Sequence, residues 1–333
     1  MIQRKVQFGI ESTKGTPVAA TRIANGVLSD PNLNRNLVWS NVQNGTYLGR
    51  QKASYPRFMP TWSYTEAASY EDLAWWLQLA VDGSVTPSAD AGTPIAYTRE
   101  YDPDLATDTL KSVTMEYGVD GEQVNEVAQV MVNSLTLRCN PDNQNEPAWM
   151  MDAELLGLSI DDSASFTSAL TIRDTEEIAA AGTKIYIDDD PTDLGDTQKS
   201  GFLIDASLTI NVNRHFKAFA ENVTGAAPGK VGRQARTFDL QITHEFDDYA
   251  EYSNFLSATP VLRAVRLYQE GSVIHDAVRN ALTIDAVGYW SSWAGSNRDG
   301  NMTAVMTLQA GLIDATYGND YQFVLVNDLA TLV

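Results

Sequence analysis

Apolar and polar residues alternate with period two through most of the chain. Val6, Phe8 and Ile10 share a face in the first segment, and Val113, Met115, Tyr117 and Val119 share one in the segment 111–119. In 125–138, Val130 and Val132 are followed by Leu135 and Leu137, with a change of phase near Asn133. In 199–212, Phe202, Ile204, Ala206, Leu208, Ile210 and Val212 face one way, and Leu203, Asp205, Ser207, Thr209 and Asn211 the other. Segments 236–246, 261–269, 281–290, 303–313 and 321–327 continue the pattern. Their wealth of Val, Ile, Thr, Tyr and Phe predicts strands. Asp120-Gly121 and Asp299-Gly300 separate neighbouring segments and suit hairpin turns that need positive φ.

Two short stretches change to helical spacing. Ser69 with Asp72 three residues on predicts a capping box, and Leu73, Trp76, Leu77 and Ala80 follow on one face. Asp248 with Glu251 repeats the cap, and Tyr252, Phe255 and Leu256 supply a second apolar face. Trp76 reads as a packing residue. The halves share an order of elements. A long strand (54–63 or 236–246) leads into the helix. A strand near a proline (Pro94, Pro260) follows, and then a hairpin around an Asp-Gly turn. This is the pattern of an internal duplication. The expected fold is mainly β, a tandem of sandwich or partial-barrel domains with one short flanking helix each. The expected limits are 1–165, with a long loop at 12–53, an acidic linker at 166–198, and 199–333.

Composition narrows the function. The chain has 333 residues, 44% apolar and 20% charged, which is globular. Its 23 basic and 43 acidic residues give a formal charge of −20, against an autonomous nucleic-acid binder. One cysteine, Cys139, excludes an intrachain disulfide framework. No apolar run reads as a signal peptide or membrane span. His215, His244 and His275 form no metal motif, and Gly225–Lys230 falls short of a phosphate loop. The cluster 188–196 reads as a solvated acidic loop or a cation site. No enzyme activity and no cofactor are expected.

Residues 12–53 and 222–235 are long for loops in a compact monomer. In a chain without catalytic signals, subunit contact is the reading for such extensions, with Lys230 and Arg233 as candidate contact residues.

The stretch Phe8-Gly9-Ile10-Glu11-Ser12-Thr13, continued by Gly15-Thr16-Pro17-Val18-Ala19-Ala20-Thr21, resembles the start of major tail tube proteins of long non-contractile-tailed, siphovirus-like bacteriophages. The order of long strand, short helix and hairpins is similar too. The resemblance implies a virion tail protein made in the host cytoplasm, with self-association into stacked rings. A two-domain chain implies a trimeric pseudo-hexamer, and a single domain a hexamer. It implies tape measure, terminator and tip proteins as partners, and phage DNA passing through the lumen without specific binding. A lumen lined by carboxylates repels phosphates. Glu116, Asp205, Asp239 and Asp285 interrupt apolar strand faces and are the candidates for that lining. Each equally suits an ordinary solvated sheet face. Trp290 and Trp293 sit at a hairpin end as candidate subunit or ring contacts. Alternatives are a terminator, hub or decoration protein, or a β-sandwich carbohydrate-binding protein using those tryptophans.

Overall fold

Alternation with β-branched and aromatic residues gives strands that bury one face, and these dominate the computed structural model of the chain. The structure describes residues 4–33, 37–41, 50–54, 60–103, 106–217, 230–246, 249–298, 300–310 and 318–332. The first half contains β1 (Arg4–Ile10), β2 (Arg22–Ile23), β3 (Val27–Leu28), β4 (Val38–Asn41), β5 (Arg50–Ser54), β6 (Thr61–Ala67), α1 (Tyr70–Ala80), β7 (Ser88–Ala89), β8 (Tyr97–Tyr101), β9 (Val113–Val119), β10 (Val124–Cys139), β11 (Met150–Leu156) and β12 (Ser159–Ala164). The second contains β13 (Lys184–Asp188), β14 (Leu203–Asn211), β15 (Arg214–Lys217), β16 (Lys230–Arg233), β17 (Thr237–Glu245), α2 (Ala250–Phe255), β18 (Arg263–His275), β19 (Val278–Arg298), β20 (Asn301–Ala310) and β21 (Tyr321–Asn327). The fold is mainly β, with antiparallel pairing throughout the described strands. No helix among the described residues is long and apolar enough to cross a membrane.

The pairings repeat. In the first half β9 lies between β1 and β10. The N-terminal part of β10 also pairs with β12, and its C-terminal part with β11; β11 pairs with β6 and β6 with β3. In the second half β18 lies between β13 and β19. There β19 pairs with β21 and then β20, β20 with β17, and β17 with β14. Hairpins β4–β5 and β15–β16 occupy equivalent places. The register of this repeat differs from the one expected on the Asp-Gly turns. Gly121 (φ 79°) closes β9–β10 and Gly300 (φ 90°) closes β19–β20. By pairing, however, β9–β10 corresponds to β18–β19, so those two turns are not equivalent.

The halves are not beads on a string. β10 pairs with β14 along Ser134–Cys139, and β8 of the first half adds to β21 of the second. One apolar cluster runs from Phe8 to Leu325. The segment expected as a linker carries β13, and Glu177 and Ala179 bridge to Ser69 and Ala148 of the first half. The strand expected at 54–63 is β6, and 55–59 lie outside the described residues.

Helix α1 starts where Ser69 Oγ accepts from Asp72 N at 3.0 Å. The reciprocal half of the expected capping box is replaced. The Asp72 carboxylate accepts instead from Arg22 Nη2 at 2.6 Å and Asn25 Nδ2 at 2.9 Å. Trp75 and Trp76 are both buried, against Phe8. For α2, the expected cap residue Asp248 lies outside the described residues, and Tyr249 makes no side-chain cap. Under α1, Glu66 points into the core. It accepts from Trp76 Nε1 at 2.6 Å and from the Tyr64 hydroxyl. Burial, then the Asp72 charge, pushes Glu66 up to about 7 against the bonds and Arg22 that favour its ionised form.

Trp76→Ala is expected to cost about 3–5 kcal/mol, because it opens a large cavity and strips Glu66 of a donor. An unchanged melting temperature would contradict this packing. Glu66 binds its proton more tightly folded than unfolded. Its stabilising contribution is therefore full below about 4.5 and is lost as pH rises through about 7. Urea unfolding at pH 4 and pH 8 should show Glu66→Gln losing roughly 2–3 kcal/mol of the wild-type decline. Parallel pH profiles for the two proteins would refute it.

Candidate functional site

β10 and β19 each change partners part-way along, β10 from β12 to β11 and β19 from β21 to β20. The result is one antiparallel sheet in the order β3, β6, β11, β10, β14, β17, β20, β19, spanning both repeats. Its inner face carries Tyr64, Ala153, Leu135, Leu208, Leu240 and Met306, all buried. Period two puts the intervening residues on the opposite face, which is polar: Thr65, Asp152, Glu154, Thr136, Asp205, Thr209, Asp239 and Gln241. Cross-strand contacts order this face. Thr136 and Thr209 share a hydrogen bond at 3.0 Å. Asp152 accepts from Thr65 Oγ1 at 2.6 Å and from Arg138 Nε at 2.8 Å, and Arg138 Nη1 also donates to Glu146 at 2.7 Å. Arg298 reaches Asp142 at 2.5 Å and Asp205 at 3.9 Å. Partial burial raises the Asp239 carboxyl above its ordinary value.

Asp205 and Asp239 therefore lie on the polar face of the shared sheet. The other two candidates do not. Glu116, on β9, is only 2% exposed. It accepts from Thr167 Oγ1 at 2.6 Å, Thr167 N at 2.7 Å and Ala20 N at 3.3 Å. Asp285, on the N-terminal part of β19, is also 2% exposed and sits in a two-pronged ion pair with Arg266 (2.7 and 2.8 Å). Burial raises its pKa despite that partner. Both are interior acids consumed within the subunit, because an acid interrupting an apolar face can be buried wherever donors meet it. Asp152 and Glu154 are the acids that sequence reasoning missed. The signal was present in Met150-Met151-Asp152-Ala153-Glu154-Leu155, where acidic and apolar positions alternate out of phase.

Of the contact candidates, Lys230 is exposed at the start of β16. Arg233 is turned inward toward Asp108 (3.6 Å), which also holds both Arg214 nitrogens at 2.7 Å. Burial would raise Asp108, but the bonds and charge of Arg214, helped by Lys14, bring it down to about 2. Trp290 is buried, its indole N–H donating to Glu251 at 2.8 Å, and so anchors α2 rather than a neighbour. Trp293 is half-buried beside Phe246, Tyr252 and His244, on the part of β19 that ends the shared sheet.

The acidic segment 188–196 is largely self-satisfied. Asp188 accepts from Gly195 N at 2.8 Å and Thr197 N at 2.9 Å, Asp189 pairs with Arg263, and Asp190 caps the turn at Thr192. Among the described residues no three His, Cys, Asp or Glu side chains are grouped to hold a metal ion.

Asp285→Lys is expected to act on the fold and not on any channel. It places a second cation against Arg266 and should cost about 3–5 kcal/mol in chemical denaturation. Wild-type stability would put Asp285 in solvent. No protein-family model matches the chain, and no curated protein matches it either.

Proposed function

We propose that this chain is a structural subunit of a phage tail tube, assembling into stacked rings whose channel conducts the genome. One observation carries the reading: two copies of one β unit, joined sheet edge to sheet edge through β10 and β14, leave at the two ends of a single polar-faced sheet the counterparts of those two strands, β19 and β3. Repeating a head-to-tail contact either closes a ring or winds a filament. Three chains of two repeats make six units around an axis, which is the trimeric pseudo-hexamer.

The polar face suits a conduit. Of its carboxylates, Asp152 is paired with Arg138 and Asp205 lies near Arg298, Glu154 and Asp239 add further negative charge, and the chain as a whole carries −20. Phosphates slide past such a wall instead of binding it. The hairpins β4–β5 and β15–β16 are candidates for contacts between rings. Val38 and Trp39 on β4 are exposed apolar residues that another copy would cover. A tape measure protein would fill the lumen before DNA, and terminator and tip proteins would cap the ends. The carbohydrate alternative loses its platform, since Trp290 is interior.

Electron microscopy of the purified protein at high concentration tests the reading. Hollow rings or tubes with threefold, pseudo-sixfold symmetry are expected. The assembled wild type should leave DNA mobility unchanged in a gel, whereas Asp152→Lys/Glu154→Lys/Asp239→Lys particles should retard it. Retardation by the wild type would contradict a repelling lumen.

A further inference from the structure

The two repeats are unequally partnered. Asn133 is the extra residue of β10 opposite β11, and Ser291 that of β19 opposite β20. Aligned on these bulges, Leu135, Leu137 and Cys139 correspond to Trp293, Gly295 and Asn297, and Trp149 corresponds to Met302. In the first repeat this stretch is covered by the second. β14 pairs along it, and buried Trp149 donates its indole N–H to Thr183 at 3.1 Å. In the second repeat no strand lies beside Ser292–Asn297 opposite β20 among the described residues. Met302 is 55% exposed. A Cβ added to Gly295 meets nothing within 4 Å, where its counterpart Leu137 is fully buried.

The complementary surface is at the other end of the same chain. The row Ala206–Ile242–Met306 corresponds to Leu28–Tyr64–Ala153, and Thr209–Asp239–Gln309 to Asn32–Thr61–Leu156. Leu28–Leu33 thus occupies the place of β14, and no strand borders it on the side away from β6 among the described residues. With the extra residue of β10 between Val127 and Val130 counted, the row Ile185–Leu267–Ile284 corresponds to Val6–Tyr117–Asn125, which puts Arg4 in the place of Thr183. Beside Arg4 is an apolar groove of about 720 Å³ between Val6, Val27, Leu28 and Ile172, with Val27 itself 74% exposed. It lies where the counterpart of Trp149 would sit.

We propose that a second copy of this chain completes both surfaces. Ser292–Asn297 of one subunit adds antiparallel to Leu28–Leu33 of the next, with Ala294 opposite Asn32 and, past the extra residue that Leu28–Asn32 carries opposite Thr61–Tyr64, Asn297 opposite Leu28, and with Met302 seated in the groove. The contact copies the one already made inside the chain between β10 and β14. It rests on the ring reading above and supplies its register. Opposed residues on neighbouring strands hold their Cβ atoms about 4.5–5.5 Å apart, within reach of a short thiol cross-linker.

The test is Asn32→Cys/Ala294→Cys treated with a short bis-maleimide under assembly conditions. Cys139 is buried, so the wild type is a blank. A covalent ladder ending at the ring number, three on the ring reading, is expected from the double variant, and none from either single variant. Met302→Asp, at an exposed position, should keep the wild-type melting temperature and lose assembly. Rings or tubes in the microscope without cross-linking, or undiminished assembly of Met302→Asp, overturn this register while the ring reading stands. Dispersed wild-type monomers at the same high concentration overturn the ring reading and this contact with it.

Discussion

A sheet edge carries unpaired N–H and C=O groups, and the disposal of those edges organises this molecule. The β10–β14 pairing turns two small sheets into one long one, and it decides which strands are left terminal. Part of the polar face inherits its order from that junction: Thr136 meets Thr209 across it, and Arg298 of the second repeat reaches Asp142 of the first. A duplicated unit that kept both edges closed would be a self-contained domain. Here the first copy is completed by the second, and the second has no such neighbour within the described chain.

Helix α1 shows what the junction costs and what it permits. It lies against β8, β10, β19 and β21, which come from both repeats, and it is buried nearly all round. A helix in that position carries apolar residues on every side. The charges around it are tied down: Arg22 holds Asp72, and Glu71 accepts from Glu176 N at 3.0 Å. Buried ion pairs add little net stability, but they penalise alternative packings that would leave a charge alone. In α2 the corresponding helix has six residues and exposed Tyr249 and Leu256 around it. The two helices thus differ in setting, one enclosed and the other facing outward.

Much of the fold is legible in the sequence, because period-two alternation is a direct image of burial on one sheet face. The strands β9, β10, β14 and β17 to β21 follow from it. β11 and β13 do not stand out in the pattern, one for its two acids and the other because it lies in an acidic stretch. The repeat is visible as an order of elements, but its register is not. Similar Asp-Gly turns make β9–β10 and β19–β20 look alike, and only the pairing partners show which strands correspond. Alternation also cannot tell a carboxylate on a wetted face from one buried against donors, which separates Asp205 and Asp239 from Glu116 and Asp285. Trp290 and Trp293 are three residues apart, yet one is an anchor and the other a sheet-edge residue, because the bulge at Ser291 changes their surroundings.

The pairing of β8 with β21 has a consequence for how the chain is made. Arg99 Nη1 donates to Asn327 Oδ1 at 2.8 Å across 228 residues of sequence. Contacts of such separation are slow to form, because a large loop must close before they repay its entropy. The first repeat cannot reach its final state while the second is still being synthesised, so the chain matures as a whole. The two ends of the shared sheet therefore differ in timing: β3 pairs locally with β6, whereas β19 takes shape only once most of the chain has been made.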